Sequence, residues 1–438
     1  MRRILLSTLL CGTLLHANVD DDLSGFEEDT TTTVESNTTK PVVQAKEPLI
    51  KGLTGKLTQQ IAYGWNTPEP HDGINSFKSS LFLDYEHKFE SGIKIKINAK
   101  AYYDSIYKIK DKEDFSTQEI DELESEVELF DAYVEGKIAE KFDYKIGRQV
   151  VVWGRSDTIR VTDILNPIDN RRPGMVDIED LRLPVSMAKF DYFVGDWRIT
   201  PIAILEQRFS KNPPFGTAFS PAPVAMPEDE EYDDVTYALS IGGEFSGWDI
   251  NFYGAKVRSD SGYMDGINPT LQHDKITMLG SALNVTTGSW LFKSELAYFD
   301  GLKYSTTGNS EFNRLDFLLG FEYNGIADTT ISYDFVKRTM SDYDNRLLGE
   351  FIPVLEDEYQ HALRITSSFK NDTITANYLI SLFGKSLDEG GFQRAWIKYD
   401  IADGINANIG VVDYIGGSKM FDAIEENDML FVDVSYSF

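Results

Sequence analysis

The chain ends with Asn427-Asp-Met-Leu-Phe-Val-Asp-Val-Ser-Tyr-Ser-Phe438. Every second side chain from Leu430 to Phe438 is apolar and most of those between them are polar, which is the alternation of a β-strand with one apolar face. An unprotected strand at the end of a soluble sheet recruits other chains. A closed membrane barrel has no free edge, because its last strand pairs with its first. The ending therefore favours a membrane barrel over a soluble strand.

The same alternation recurs through the rest of the chain. Clear sets begin at Leu57, Phe77, Ile93, Trp248, Trp290, Leu315, Ile374 and Ile405. Segments of about ten residues have the length that a tilted strand needs to cross a bilayer. Aromatic residues, which make up 13% of the chain, recur near the ends of these segments, as membrane interfaces favour.

The connections between segments alternate in length. Short turns fall at Glu90–Gly92, Gly195-Asp196, Ser246-Gly247, Thr287–Ser289, Asn324-Gly325, Asn371-Asp372 and Asp403-Gly404. Long polar loops fall near residues 66–75, 107–125, 153–183, 207–234, 259–273, 300–312, 339–357 and 414–427. This pattern predicts an all-β fold, a transmembrane antiparallel up-and-down β-barrel of about 18 strands, within a range of roughly 14–18. A barrel of that size leaves a lumen too wide for its own side chains to fill.

Composition excludes several classes of partner and fold. The formal net charge is −29, so nucleic acid and anionic membrane surfaces are poor partners. No stretch beyond residue 17 approaches the roughly 18 apolar residues of a membrane-spanning helix. Strands must therefore carry any insertion into a membrane.

The chain divides into three predicted segments. Residues 1–17 have the charged start, apolar core and small final residue of a cleaved signal peptide, which implies export. Cys11 opens the alternative of a lipoprotein, but Leu10 is larger than the residue that usually precedes a lipidated cysteine. Residues 18–47 are acidic and poor in apolar residues, which predicts disorder. This tail is either simply solvated or a docking motif for a periplasmic or inner-membrane exporter partner. Residues 48–438 form the predicted barrel.

One long connection, residues 153–183, differs from the other loops. It balances basic and acidic residues and also holds many apolar ones, so it can fold back into the lumen while its ions pair with each other and with the wall. This predicts a constriction of the pore, and the alternative is a structural brace at the barrel rim. The candidate constriction residues are Arg148, Trp153, Arg155, Asp157, Arg160, Asp163, Asp169, Arg171, Arg172, Asp177, Glu179, Asp180 and Arg182.

The same region carries a family resemblance. Gly147-Arg-Gln-x-Val-x-Trp-Gly-x-Ser156, Asn166-Pro167 and Arg182-Leu-Pro184 resemble an uncharacterised family of Gram-negative outer-membrane barrels, which is similar to alginate-export and porin-like barrels. The C-terminal Phe438 resembles the signal that the barrel assembly machinery recognises. The resemblance implies a large barrel, often encoded beside inner-membrane exporters for hydrophobic compounds. A pore for alginate should be lined with arginine, so the net acidity argues against export of polyanions.

The sequence allows two interpretations of which face of its strand Arg148 lies on. Arg148 has the parity of the lipid-facing Ile146, and the valines at 150–152 then break the alternation. Either a β-bulge resets the phase, or Arg148 lies above the apolar belt.

Little other chemistry is visible. The acidic loop Glu228, Asp229, Glu230 and Glu231 is either solvated surface or a site for a divalent cation such as Ca²⁺, which could bridge it to lipopolysaccharide phosphates.

The five histidines lack the spacing of metal ligands, and no nucleophile elbow or phosphate-binding glycine loop is present. No resident cofactor is expected, and hydrolysis through His87 or His361 is the weakest hypothesis, so the chain is not expected to be an enzyme.

Three functions remain open. The first is a porin-like channel for small or amphipathic solutes in the outer membrane of a Gram-negative bacterium, narrowed or gated by residues 153–183, with a mild preference for cations. The second is the outer-membrane component of an export system for lipids or hydrophobic compounds. The third is a surface anchor or adhesin that transports nothing. The expected surroundings are outer-membrane lipid and lipopolysaccharide.

Overall fold

The computed structural model describes residues 51–176 and 178–438. The signal peptide predicted at 1–17, the tail at 18–47 and Asp177 lie outside these residues. The strands are β1 Leu53–Gly64, β2 Gly73–Lys88, β3 Lys94–Asp104, β4 Ser125–Ala139, β5 Phe142–Gln149, β6 Val185–Val194, β7 Trp197–Ile204, β8 Thr236–Phe245, β9 Trp248–Arg258, β10 Lys275–Thr287, β11 Trp290–Leu302, β12 Phe312–Ile326, β13 Thr329–Ser341, β14 Asp357–Phe369, β15 Ile374–Phe383, β16 Gly391–Ala402, β17 Ile405–Ile415 and β18 Met429–Ser437. Short helices are α1 Ile106–Ile109, α2 Thr117–Leu123, α3 Ile178–Leu181 and α4 Lys419–Asp422.

The 18 strands form one sheet in which each strand is antiparallel to its neighbours in sequence. The sheet closes because β1 pairs with β18, from Lys56 opposite Ser437 to Gly64 opposite Met429. The all-β, up-and-down barrel of about 18 strands is therefore confirmed. The loops and turns also alternate as expected, with a further tight turn at 140–141 and a further loop at 384–390. The turn predicted at Asn324-Gly325 is wrong in position: these residues belong to β12, and the chain reverses at 327–328.

The apolar rows of the strands face outward. On β18, Leu430, Val432, Val434 and Tyr436 are all more than a third exposed, whereas Phe431 and Ser435, between them, are buried. Leu315, Phe317 and Leu319 of β12 are likewise exposed, and Leu318 is buried. Such a continuous apolar exterior is costly in water and suits a bilayer. Among the described residues, no helix is long and apolar enough to cross a membrane.

The inner side of the barrel has an apolar part and a polar part. The walls from β6 to β14 turn apolar side chains inward, and these pack against the segment that follows β5. A second, smaller apolar cluster lies against β15 to β18. The inner faces of β2 to β5 instead carry paired charges, such as Lys96 with Asp84 at 3.2 Å and Lys94 with Glu135 at 3.0 Å. Space for water is therefore expected beside β2 to β5.

Candidate functional site

Residues 150–184, here called the inner loop, leave the wall where β5 ends and return to it where β6 begins. The two ends are tied together by Asn166, whose side-chain amide donates to the carbonyls of Gln149 at 3.2 Å and Leu183 at 2.9 Å. Its side-chain oxygen accepts from the N–H of Val151 at 2.8 Å. Asn166 is fully buried, so these bonds replace water that it cannot reach. They hold the entry and exit of the loop side by side.

The first turn of the inner loop docks on a carboxylate of the far wall. Glu295 of β11 is 1% exposed. Its oxygens accept four hydrogen bonds, from the N–H groups of Arg155 (2.6 Å), Ser156 (3.0 Å) and Thr162 (3.1 Å) and from the Thr162 hydroxyl (2.7 Å). Hydrogen bonds to an ionised acceptor are stronger than neutral ones. The turn is therefore built around this carboxylate.

Gly154 makes this close approach possible. Its φ is +89°, and a Cβ there would lie 2.8 Å and 2.9 Å from the two carboxylate oxygens of Glu295. The preceding Trp153 stacks on Tyr253 of β9, with ring centroids 4.6 Å apart. The Trp-Gly pair of the sequence motif thus places an aromatic ring and a tight turn against β9 and β11.

We expect Gly154→Ala to undock this turn, because alanine disfavours a positive φ and its methyl group would meet the Glu295 carboxylate. The expected result is a folded barrel whose inner loop is cut by protease at concentrations that leave the parent chain intact. Gly288→Ala is the matched control, since Gly288 also has a positive φ, of +58°, but a Cβ there meets nothing within 4 Å. Equal protection of the two variants would contradict the docking role of Gly154.

Further contacts fix the same part of the loop to β9, β11 and β13. The hydroxyls of Ser156 and Thr158 both donate to Asp334 of β13 at 2.7 Å. Lys293 of β11 pairs with Asp157 at 2.9 Å. Arg155 pairs with Asp249 of β9. Charges of the loop therefore meet opposite charges on the wall, and its hydroxyls meet the buried carboxylate of Asp334, as burial requires.

The middle of the loop is held by one buried carboxylate. Asp163 accepts from the Nε of Arg182 at 2.8 Å and from the Nε of Arg160 at 3.2 Å. Arg182 and Asp163 are each about 4% exposed. This pair fastens the outgoing limb of the loop to the returning limb, and breaking such a pair leaves an uncompensated buried charge.

The other limb of the loop reaches the opposite wall. Arg171 donates to Asp169 and, at 2.7 Å, to Glu126 of β4. Burial favours the neutral form of Asp169, but the hydrogen bonds and charge of Arg171, with Lys211 nearby, hold the pKa of Asp169 below its ordinary value. Asp169 is therefore ionised at neutral pH, and the pair stays charged.

Three contacts extend this limb further around the barrel. Arg172 lies 3.4 Å from Asp104 at the end of β3. The hydroxyl of Tyr414 on β17 donates to the carbonyl of Pro173. Gly174 lies against the ring of Phe392 on β16, because a Cβ there would be 2.9 Å from it. The inner loop is thus attached to β9, β11 and β13 on one side of the lumen and to β3, β4, β16 and β17 on the other.

The structure brings most of the candidate residues together in this loop. Trp153, Arg155, Asp157, Arg160, Asp163, Asp169, Arg171, Arg172 and Arg182 all make the contacts described above. Asp180 is exposed in α3, the Glu179 side chain is not among the parts that the structure describes, and Asp177 lies outside the described residues.

Arg148 lies at the end of β5, beside the point where the inner loop returns to the wall, and its Nε donates to the carbonyl of Pro184 at 3.3 Å. It keeps the parity of Phe142, Tyr144 and Ile146, because β5 pairs with β6 without a shift of register. No bulge therefore resets the phase of β5. The side chain lies 3.6 Å from Glu128 and 3.4 Å from Glu206.

Sequence reasoning missed the wall residues that receive the loop and also a second inward loop. The only signal for Glu295 and Lys293 was weak: they are charged residues at strand positions that alternate with the apolar, outward-facing ones. The sequence indicates only a long polar loop at 207–234, but its first part is fixed to the inner loop, because Lys211 exchanges backbone hydrogen bonds with Ile168 and Asn170. The pair Arg208 and Lys211 in an otherwise acidic segment was the available signal.

The acidic loop at 228–231 forms a contact with a neighbouring loop. Asp229 lies 3.0 Å from His273, and Glu230 accepts from the Thr270 hydroxyl at 2.5 Å. Within residues 51–176 and 178–438, no three His, Cys, Asp or Glu side chains are arranged to hold a metal ion. A cation at Glu228–Glu231 stays a prediction from sequence alone.

Comparison with known proteins gives a family. A family model described as "Protein of unknown function (DUF1302)" matches residues 5–438. The chain belongs to this DUF1302 family. A search among curated proteins finds no match.

Solved structures share the fold of this DUF1302 chain. OpdK of Pseudomonas aeruginosa with vanillate has a TM-score of 0.54 at 10% identity, over 88% of this chain and 98% of OpdK. OccAB3 of Acinetobacter baumannii has a TM-score of 0.52 at 11% identity, over 88% and 98%. OccK2 (OpdF) of Pseudomonas aeruginosa in complex with glucuronate has a TM-score of 0.52 at 12% identity, over 88% and 97%. At such identities the similarity concerns the fold alone, and function must be argued from the site.

Proposed function

We propose that this chain is a porin-like channel in the outer membrane of a Gram-negative bacterium, and that its inner loop narrows the pore for small or amphipathic solutes. The observation that carries the proposal is the attachment of the inner loop to both sides of the lumen. A loop that only braced the rim would not need buried partners on β11 and β13. An open barrel of this size would admit solutes with little selection.

The proposed path for water and solutes runs beside β2 to β5. The inner loop packs against the apolar wall of β6 to β14, so that part of the lumen is filled. The opposite wall presents charged groups, among them the exposed Lys100. Because lysines alternate with carboxylates on this wall, as in the pair Lys96 and Asp84, the preference for cations is expected to be weak.

Recording from planar bilayers tests the proposal. The refolded chain should give stable single-channel steps in KCl with a reversal potential that indicates weak cation preference in a salt gradient. Strong anion preference would contradict the assigned lumen. Complete lack of conductance, in both the intact chain and a variant without residues 157–180, would contradict a channel and favour a surface anchor.

The other predictions from sequence enter this proposal unchanged. Residues 1–17 would direct export and residues 18–47 would contact a periplasmic or inner-membrane exporter partner, which would make the barrel the outer part of a longer route. Phe438 would be contacted by the assembly machinery. Loss of crosslinks between the chain and periplasmic proteins in cells when residues 18–47 are deleted would support the partner, and absence of any such crosslink from the intact chain would refute it.

A further inference from the structure

The wall of the barrel is incomplete between β4 and β5. The pairing of these strands ends at Ala132 opposite Arg148, although β4 begins at Ser125. Residues 125–131 of β4 pair with β3 alone, and no backbone hydrogen bond among the described residues joins them to the chain after β5. Strands β5 and β7 have 8 residues each, whereas a tilted strand needs about 9–11 to cross a bilayer.

This opening, here called the side notch, has outward-facing apolar residues along its edge. A row of outward residues in register runs from Tyr436 through Leu57, Leu81 and Ala101 to Val127 of β4. The row ends there, because β5 does not extend to that level. Val127 is 83% exposed, Leu129 on the same strand is close to half exposed, and so is Leu205 just after β7. The edge of the notch therefore presents apolar side chains to lipid.

Side-chain ion pairs span the notch where the ladder of hydrogen bonds is absent. Glu128 of β4 contacts Arg208, Arg148 at 3.6 Å and Lys211 at 3.5 Å. Glu126 contacts Lys211 and, at 2.7 Å, Arg171. These groups, here called the latch, hold the loop after β7 against the free edge of β4. Ion pairs between side chains can part and re-form without breaking a strand from the sheet.

A small cavity of about 30 Å³ lies next to the latch. Ile164, Leu165, Ile204 and Val257 give it an apolar side, and Glu206, Arg208, Thr236 and Arg258 give it a polar side. Arg208 belongs to both the cavity and the latch. The cavity has room for about one water, so an apolar chain that passed the latch would have to widen it between these apolar and polar sides.

We propose that the side notch is a lateral portal, through which an amphiphile with a single apolar chain moves between the membrane and the lumen when the latch parts. This inference deepens the proposed channel function and rests on it. The free edge of β4, bridged only by side-chain ion pairs, is the observation that a fully paired wall would not produce. The amphiphile would meet exposed apolar residues outside, paired charges at the latch and the small cavity next to it.

Photolabelling from the membrane tests the portal. The probe is a long-chain fatty acid with a diazirine in its chain, in proteoliposomes that hold the full chain carrying Cys11→Ser. In one variant, Glu128→Cys and Arg208→Cys are joined after folding by a short bifunctional thiol reagent, which locks the latch. The matched control is Asp84→Cys with Lys96→Cys, joined in the same way, where β2 and β3 pair continuously.

The expected result is labelling of residues 164–165 and 204–209 in the unlocked protein and in the control, and a severalfold loss of that labelling in the locked protein. Labelling of Val127 and Leu129 should persist in all three. Glu126→Gln with Glu128→Gln should raise labelling of the cavity. Equal labelling in the locked and unlocked proteins, or labelling confined to the outer surface in both, would overturn the portal. Ion conductance, recorded in parallel, tests the channel itself.

Discussion

Removing residues 157–180 is expected to raise the single-channel conductance of the barrel severalfold. The deletion takes away the part of the inner loop that crosses the lumen, including the contacts of Asp163 and Arg171, and leaves enough chain to connect β5 with β6. An 18-stranded barrel without an inward loop holds a wide aqueous channel. The measurement is a planar-bilayer recording in KCl, with the rate of uptake of sugars of increasing size into proteoliposomes as a second readout.

The matched control removes residues 265–269 at an exposed loop tip, where Ile267 is 88% exposed. This variant should conduct like the parent chain. If both deletions left conductance unchanged in barrels that still resist detergent, the inner loop would be a brace and not a constriction. A rise in both would show that conductance follows general loosening.

Replacing Glu295 with glutamine is expected to give the second-largest effect. The carboxylate accepts four hydrogen bonds from the inner loop, and an amide keeps only one acceptor oxygen and turns an NH₂ group toward backbone N–H donors. Each lost hydrogen bond to a charged acceptor is worth about 1.5–3 kcal/mol, so roughly 3 kcal/mol or more of docking free energy should disappear. We expect flickering conductance with larger open steps and earlier cleavage of the inner loop by protease.

Glu86→Gln is the control for this variant. Glu86 is on the inward side of β2 and pairs with Lys94 at 3.4 Å, but no contact joins it to the inner loop in the described part of the chain. The same change of charge should therefore leave channel noise and protease resistance as in the parent chain. If the Glu295→Gln variant conducted without flicker, as the parent chain does, Glu295 would not hold the loop.

The wall of the barrel could be predicted from the sequence because the features that specify it involve residues close together in the chain. Alternation at period two, as in Leu315 to Tyr323, follows from one face meeting lipid and the other meeting water. Turn residues such as Asp403-Gly404 mark where the chain reverses. The strand number followed from these two signals, although the turn at 140–141 and the loop at 384–390 carried weaker ones.

The site was predicted only in part because its partners are far apart in sequence. The balance of charge in residues 153–183 indicated that the segment folds inward, but nothing local shows that Arg155 and Thr162 meet Glu295. The side notch was missed for a related reason. In the sequence, a strand that ends early cannot be distinguished from a strand followed by a long loop. Only the register between β4 and β5 shows that residues 125–131 of β4 have no partner on that side.

Crosslinking between the inner loop and the far wall tests the account most directly. The chain has one cysteine, Cys11, so Ser156→Cys and Asp334→Cys can be combined in a Cys11→Ser background and treated with a short bifunctional thiol reagent in native membranes. We expect efficient crosslinking within one chain and an unchanged conductance, because the loop already lies against β13. Absence of a crosslink, while Gln59→Cys and Val434→Cys across the β1–β18 closure react fully, would contradict it.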